Sequence, residues 1–194
     1  MVCRLDPYSC YWNNNAPYMV KCINGICPRP KGLPLMRKLK VYIETTLFNF
    51  YVDEDRGFVH DSTLALFKEI AAGKYEAFTS DYVIDELGRA PEEKQEKMLS
   101  LISEYNITVL NYNDEAVALA DKYIAERAIP MTHTTDALHI AVATVNDLDM
   151  IVSMNFQHIV KRKTKFITGN INVLNGYRVV EILNPMEVIE NEND

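Results

Sequence analysis

An α/β domain with a mainly parallel central sheet of about five strands, covered by helices on both faces in three layers, is the fold class this sequence predicts. Short apolar runs recur at 41–43, 75–79, 107–110, 149–153 and 179–183, and helical apolar patterns fill most of the intervals between them. The run DMIVS at 149–153 is continuously apolar at its centre, as expected of a strand covered on both faces. With 48% apolar residues, 194 residues suffice for one ordinary domain with a proper core.

Taken in order, Val41 to Ile43 read as a strand that ends at Glu44. Thr45, Thr46 and Asn49 read as turn or capping groups, with Leu47, Phe48, Phe50 and Tyr51 staying close to the core. Asp61 to Ala72 is an amphipathic helix with Leu64, Phe67, Ile70 and Ala71 on one side, ended by Gly73. After the strand at 75–79, Ser80 or Asp81 caps a helix that carries Val83, Ile84, Glu86 and Leu87 and stops near Gly88. Pro91 opens the next helix, and Asp114 to about Arg127 forms another. The stretch from Phe156 to about Leu174 fits a helix ended by Asn175 and Gly176 better than a hairpin. A last turn at Pro185–Val188 precedes an acidic tail, 190–194, expected to be disordered.

Residues 1–35 differ from everything after them. All four cysteines (Cys3, Cys10, Cys22, Cys27), the single Trp12 and five of the eight prolines lie there, without helical or alternating periodicity. An irregular extension is the favoured reading, with a zinc knuckle on Cys22 and Cys27 or a disulfide clip as alternatives. The domain proper is expected to occupy 36–189, and Met36 is a conceivable natural start. The chain shows neither a secretory signal nor a run long enough to cross a bilayer, so the expectation is a cytoplasmic protein.

A net charge of −7 argues against a protein that coats nucleic acid non-specifically, since such binding relies on Lys and Arg displacing counterions. It leaves room for a nuclease whose acids first attract metal. Basic residues cluster locally at Lys161, Arg162, Lys163 and Lys165.

The central stretch is Thr132 to Val160. Thr134 or Thr135 is expected to cap a helix, apolar almost all round from Ala137 to Val145, with Asp136 in its first turn. A capping and dipole role for Asp136 is the plain explanation, worth roughly 0.3 to 1 kcal/mol. A second explanation comes from the strand ends. Glu44 terminates the first strand, Glu86 lies in the helix after the second, Asp136 opens the central helix and Asn155 follows the fourth strand. In open parallel sheets ligands bind outside those carboxyl ends. Several carboxylates in one crevice need positive charge, and no Lys or Arg adjoins them in sequence, so a divalent cation is the economical answer. Oxygen-only ligands favour Mg2+ or Mn2+.

Four segments, VYIETTLFNFY, TSDYVIDEL, TTDALHIAVA and DMIVSMNFQHI, in that order and at these intervals, resemble the successive motifs of PIN-domain proteins. The likeness is strongest to VapC-like toxin ribonucleases of toxin–antitoxin pairs and covers roughly Lys40 to Ile189. The resemblance implies Mg2+- or Mn2+-dependent hydrolysis of RNA, a homodimer, and an antitoxin protein as partner. It assigns Glu44, Glu86, Asp136 and Asn155 to the four catalytic and metal-holding positions, and Thr45 to the hydroxyl beside the first. Ser153 and Thr134 are expected to orient neighbouring groups, and Lys161, Arg162 and Lys163 to meet substrate phosphates. His139 and His158 read as packing residues. Two departures stand out: the first acid is usually Asp, so Glu44 reaches one methylene further, and the fourth is often Asp, so Asn155 lacks its charge. They keep open a catalytically silent module that binds RNA or protein. A receiver-like phosphoryl-transfer domain is disfavoured, because the paired acids near the first strand and the Lys after the last strands are missing.

Overall fold

Five strands form one all-parallel sheet in the order β3-β2-β1-β4-β5. They are β1 (Leu39–Ile43), β2 (Tyr75–Ser80), β3 (Thr108–Leu110), β4 (Met150–Val152) and β5 (Glu181–Leu183) in a computed structural model that describes residues 37–189. The expected Cys/Pro extension at 1–35 and the tail at 190–194 lie outside the described residues. Eight α-helices connect the strands: α1 (Thr45–Val52), α2 (Phe58–Ala71), α3 (Asp81–Leu87), α4 (Glu92–Glu104), α5 (Asp114–Ala125), α6 (Thr134–Val145), α7 (Arg162–Leu174) and α8 (Pro185–Val188). On one side α5 packs against α6 and α7; on the other α1 packs against α2, α3 and α4, and α2 against α8. The result is the expected three-layer α/β/α domain.

The apolar runs explain the layers. Val41, Tyr42, Ile43, Ile151 and Val152 are fully buried, so the middle strands are covered on both faces. Helix α6 is buried over most of its surface, from Ala137 through Thr144, as its near-continuous apolar sequence requires. From β1 the chain runs outward to β2 and β3, then returns to place β4 on the opposite side of β1. That reversal puts the topological switch point at the carboxyl ends of β1 and β4, where sheets of this type bind ligands.

Local departures from expectation have physical causes. Thr45, Thr46 and Asn49 lie inside α1 rather than in a turn, because Glu44 itself is the cap and accepts a hydrogen bond from the Thr46 amide. Thr134 and Thr135 lie inside α6; Pro130 initiates a 3-10 turn, Met131–His133, and His133 occupies the cap position without a side-chain bond. Helix α2 begins at Phe58, one turn before Asp61. The helix expected over 156–174 begins at Arg162 and ends at Asn175, followed by Gly176 at φ +83°, so the hairpin does not form. Helices α4, α5 and α6 end on left-handed Asn106, Arg127 and Asp147, each followed by an amide that bonds back five residues (Ile107 to Ile102, Ala128 to Tyr123, Leu148 to Ala143).

Candidate active site

Glu44 leaves β1 in extended conformation and turns its carboxylate onto the start of α1. Oε2 accepts from the Thr46 amide at 2.9 Å, and the Thr46 hydroxyl donates to Oε1. That hydroxyl in turn accepts from the Met154 amide at 3.0 Å, tying the end of β1 to the segment after β4. Ser153 hydrogen-bonds Glu44 as well, and its Oγ accepts from the Asn155 amide at 2.9 Å. Glu44 is only 2% exposed. Burial pushes its carboxyl above the usual range, and the charge of His139 with the Thr46 and Ser153 bonds offsets this only in part.

Glu86, on the second turn of α3, is held from two sides. The Thr45 hydroxyl donates to Oε2, and the same oxygen lies 3.0 Å from His139 Nε2. His139 is buried and its Nδ1 lies 3.1 Å from the Tyr42 hydroxyl, which shares a 2.7 Å bond with Ser80 Oγ. Ser80 Oγ also caps α3 by accepting from the Val83 amide at 3.3 Å. Burial disfavours a charged His139, but its bond to Glu86 and the charges of Glu86, Glu44 and Asp136 outweigh it, so its pKa rises. Burial likewise pushes Glu86 up, yet the His139 bond and charge and the Thr45 bond bring it below the ordinary value. Among the acids, the group whose positive form they favour is therefore His139, supplied by the helix that carries Asp136 and not by a neighbouring Lys or Arg. It is packed and hydrogen-bonded through both ring nitrogens, in keeping with a packing residue.

Asp136 is 9% exposed on the first turn of α6. Oδ1 accepts from Asn155 Nδ2 at 3.0 Å, while Asn155 Oδ1 accepts from the His158 amide at 3.0 Å. Oδ2 is buried and accepts no hydrogen bond among the described residues. His133 Nδ1 lies 3.7 Å from it. Burial raises the Asp136 pKa, against the pull of His139, His158 and His133 and the bond from Asn155.

The four sequence-derived positions thus meet at one end of the sheet, linked by Thr46, Ser153 and His139, while their carboxylates turn to separate partners. Among the described residues, the group with donor atoms all within 4.8 Å of one another, able to hold a metal ion, is His133, Asp136 and His158. Glu44 and Glu86 are not part of it. His133 carries no sequence signal of its own, and His158 is half-exposed and stacks on it with ring centroids 3.6 Å apart. Of the basic run, Lys161 and Lys163 line a pocket of about 570 Å3 together with Arg127, Met131, Gln157 and His158, whereas Arg162 does not. Thr134 makes no side-chain hydrogen bond to the site among the described residues.

Among known proteins, no family model and no curated sequence matches this chain. Solved structures do match, and the first described below shares the PIN-like fold. The chain is similar to VapBC2 from Rickettsia felis, a structure bound to a DNA fragment from their promoter, with a TM-score of 0.52, 10% identity and coverage of 75% of this chain and 98% of that one. It is also similar to Mycobacterium tuberculosis VapC20, a sarcin-ricin loop cleaving toxin, at a TM-score of 0.45, 13% identity and coverage of 61% and 92%.

Proposed function

We propose that the chain is a metal-dependent ribonuclease that hydrolyses RNA phosphodiester bonds, acting as the toxin of a toxin–antitoxin pair. The observation that carries the reading is Asp136 Oδ2, buried and without a hydrogen bond among the described residues, at the topological switch point of a PIN-like sheet, with Glu44, Glu86 and Asn155 at the same end. By type these donors suit a hard divalent ion, since Glu44, Glu86 and Asp136 carry carboxylate oxygens and Asn155 an amide oxygen, the ligands Mg2+ or Mn2+ takes; their oxygens do not stand together as one ligand group in the structure, so holding an ion requires side chains of Glu44 and Glu86 to turn. When bound, such an ion supplies a more acidic water and charge neutralisation at phosphorus.

The chain's own residues hold the frame. Asn155 fixes Asp136 through Nδ2. Thr45 and His139 fix Glu86, and Thr46 and Ser153 fix Glu44. Lys161 and Lys163, beside His158, offer positive charge to the phosphates flanking the scissile bond. An antitoxin segment entering the crevice and a homodimer belong to this reading by analogy with VapC-type proteins.

One observation favours the rival, a catalytically silent PIN-like module: both oxygens of Glu44 are engaged in internal hydrogen bonds. Cleavage of mixed structured RNA with Mn2+, Mg2+ or EDTA, by the parent and by Asp136→Asn after both are shown to fold, separates the two. The nuclease requires cleavage that needs both metal and Asp136. Absence of cleavage in the parent, with no Mn2+ binding by calorimetry, establishes the silent module; equal cleavage by both proteins sinks the assignment of Asp136.

A further inference from the structure

Asp136 presents its two oxygens to different surroundings. Oδ1 is satisfied by Asn155, whereas Oδ2, buried and without a hydrogen bond among the described residues, lies 3.7 Å from His133 Nδ1. A buried carboxylate oxygen left unpaired is costly unless a ligand completes it. His158 completes the surroundings, with one donor atom from each of His133, Asp136 and His158 lying within 4.8 Å of the others.

We propose that His133, Asp136 and His158 form a binding site for a divalent transition-metal ion, of the Zn2+, Co2+, Fe2+ or Mn2+ type, which has only Asp136 in common with the oxygen site described above. Two imidazole nitrogens and one carboxylate oxygen select such ions over Mg2+, which takes oxygen and water. Three protein ligands leave further positions open, the arrangement of an ion that exchanges water or substrate rather than one locked into the fold.

The three ligands come from three segments. His133 ends the 3-10 turn before α6, Asp136 opens α6, and His158 stands in the loop after β4. Asn155 joins two of them, donating from Nδ2 to Asp136 Oδ1 and accepting at Oδ1 from the His158 amide. A carboxylate at 155 would have no hydrogen to donate to Asp136; the amide positions both. The rings as they stand are stacked, with planes 25° apart. A bound ion lies in the plane of its imidazole, so loading requires one ring to turn. His133, with 40% of its side chain exposed at the end of a short turn, has the room.

The site shares Asp136 with the nuclease reading but does not require RNA cleavage. Co2+ is the probe, added to the full chain and followed by calorimetry and by proton NMR. The proposal expects two hyperfine-shifted ring N–H signals that vanish in D2O. His133→Ala and His158→Ala should each remove such a signal and weaken Co2+ binding by about 10-fold or more. His60→Ala should change neither. Thiolates of Cys3, Cys10, Cys22 and Cys27 give no exchangeable ring signal, so Co2+ held there is told apart. Parent-like Co2+ binding in both histidine variants, or no exchangeable shifted signal in the parent, overturns the site and marks the ring stack as packing. RNA cleavage assayed on the same proteins with Mg2+ or Mn2+ keeps the two readings separate: intact Co2+ signals without such cleavage sink the nuclease alone, and cleavage without those signals sinks the site alone.

Discussion

The two flanks of the crevice differ in how far they are satisfied. On the Glu86 flank, Thr45, Glu86, His139, Tyr42 and Ser80 form an unbroken hydrogen-bonded chain from α1 through α3 and α6 to the strands, with His139 buried at its centre. On the Asp136 flank, one carboxylate oxygen accepts nothing among the described residues and two half-exposed imidazoles stand beside it. A satisfied buried network holds structure; an unsatisfied one that opens to solvent is left for a ligand. The difference teaches that the acids of this crevice have separate tasks, although sequence spacing treats them alike.

Stability measurements on single variants test the division. The largest effect should come from His139→Ala, which strands Glu86 and the Tyr42 hydroxyl together; a loss of roughly 3 kcal/mol in urea unfolding is expected for breaking a buried pair from one side. Tyr42→Phe removes the partner of His139 Nδ1 and Ser80 Oγ while keeping the ring, and should cost about 1 to 3 kcal/mol. On the other flank, His133→Ala and His158→Ala should each stay within about 0.5 kcal/mol of the parent in the absence of metal, as exposed substitutions do. A loss there comparable with that of Tyr42→Phe would erase the contrast between the flanks. The smallest effect concerns RNA affinity: Lys161→Ala or Lys163→Ala should flatten the dependence of log K on log salt by about 0.7 each, the contribution of one phosphate contact on a single strand.

Much of the fold was legible in the sequence because its signals are local. Strands β1 to β5 announced themselves as apolar runs, and Ser80, Gly73 and Gly176 marked element ends through the chemistry expected of them. Helix α1 was not legible, since an N-cap is usually a short polar side chain, and here a buried Glu44 fills the role. The left-handed ends at Arg127 and Asp147 carry no glycine to reveal them.

For the site, the meeting of Glu44, Glu86, Asp136 and Asn155 at one end of the sheet was legible from their places at or after the carboxyl ends of the strands. The histidine that binds Glu86 was not. His139 lies 53 residues from Glu86 in sequence, so a search for Lys or Arg beside the acids could not find it. The only sequence signals for the histidine pair were His133 three residues before Asp136 and His158 three residues after Asn155, spacings too common to stand alone.

The most direct test of the account is the melting temperature of the parent and of Asp136→Asn with and without Mn2+. If the Asp136 flank is where the ligand is taken, saturating Mn2+ should raise the parent by roughly 5 to 10 °C, the thermal equivalent of a ligand at about 100 times its dissociation constant. Asp136→Asn should melt near the metal-free parent and stay unmoved by Mn2+. An equal rise in both proteins would place the ion elsewhere and contradict the account.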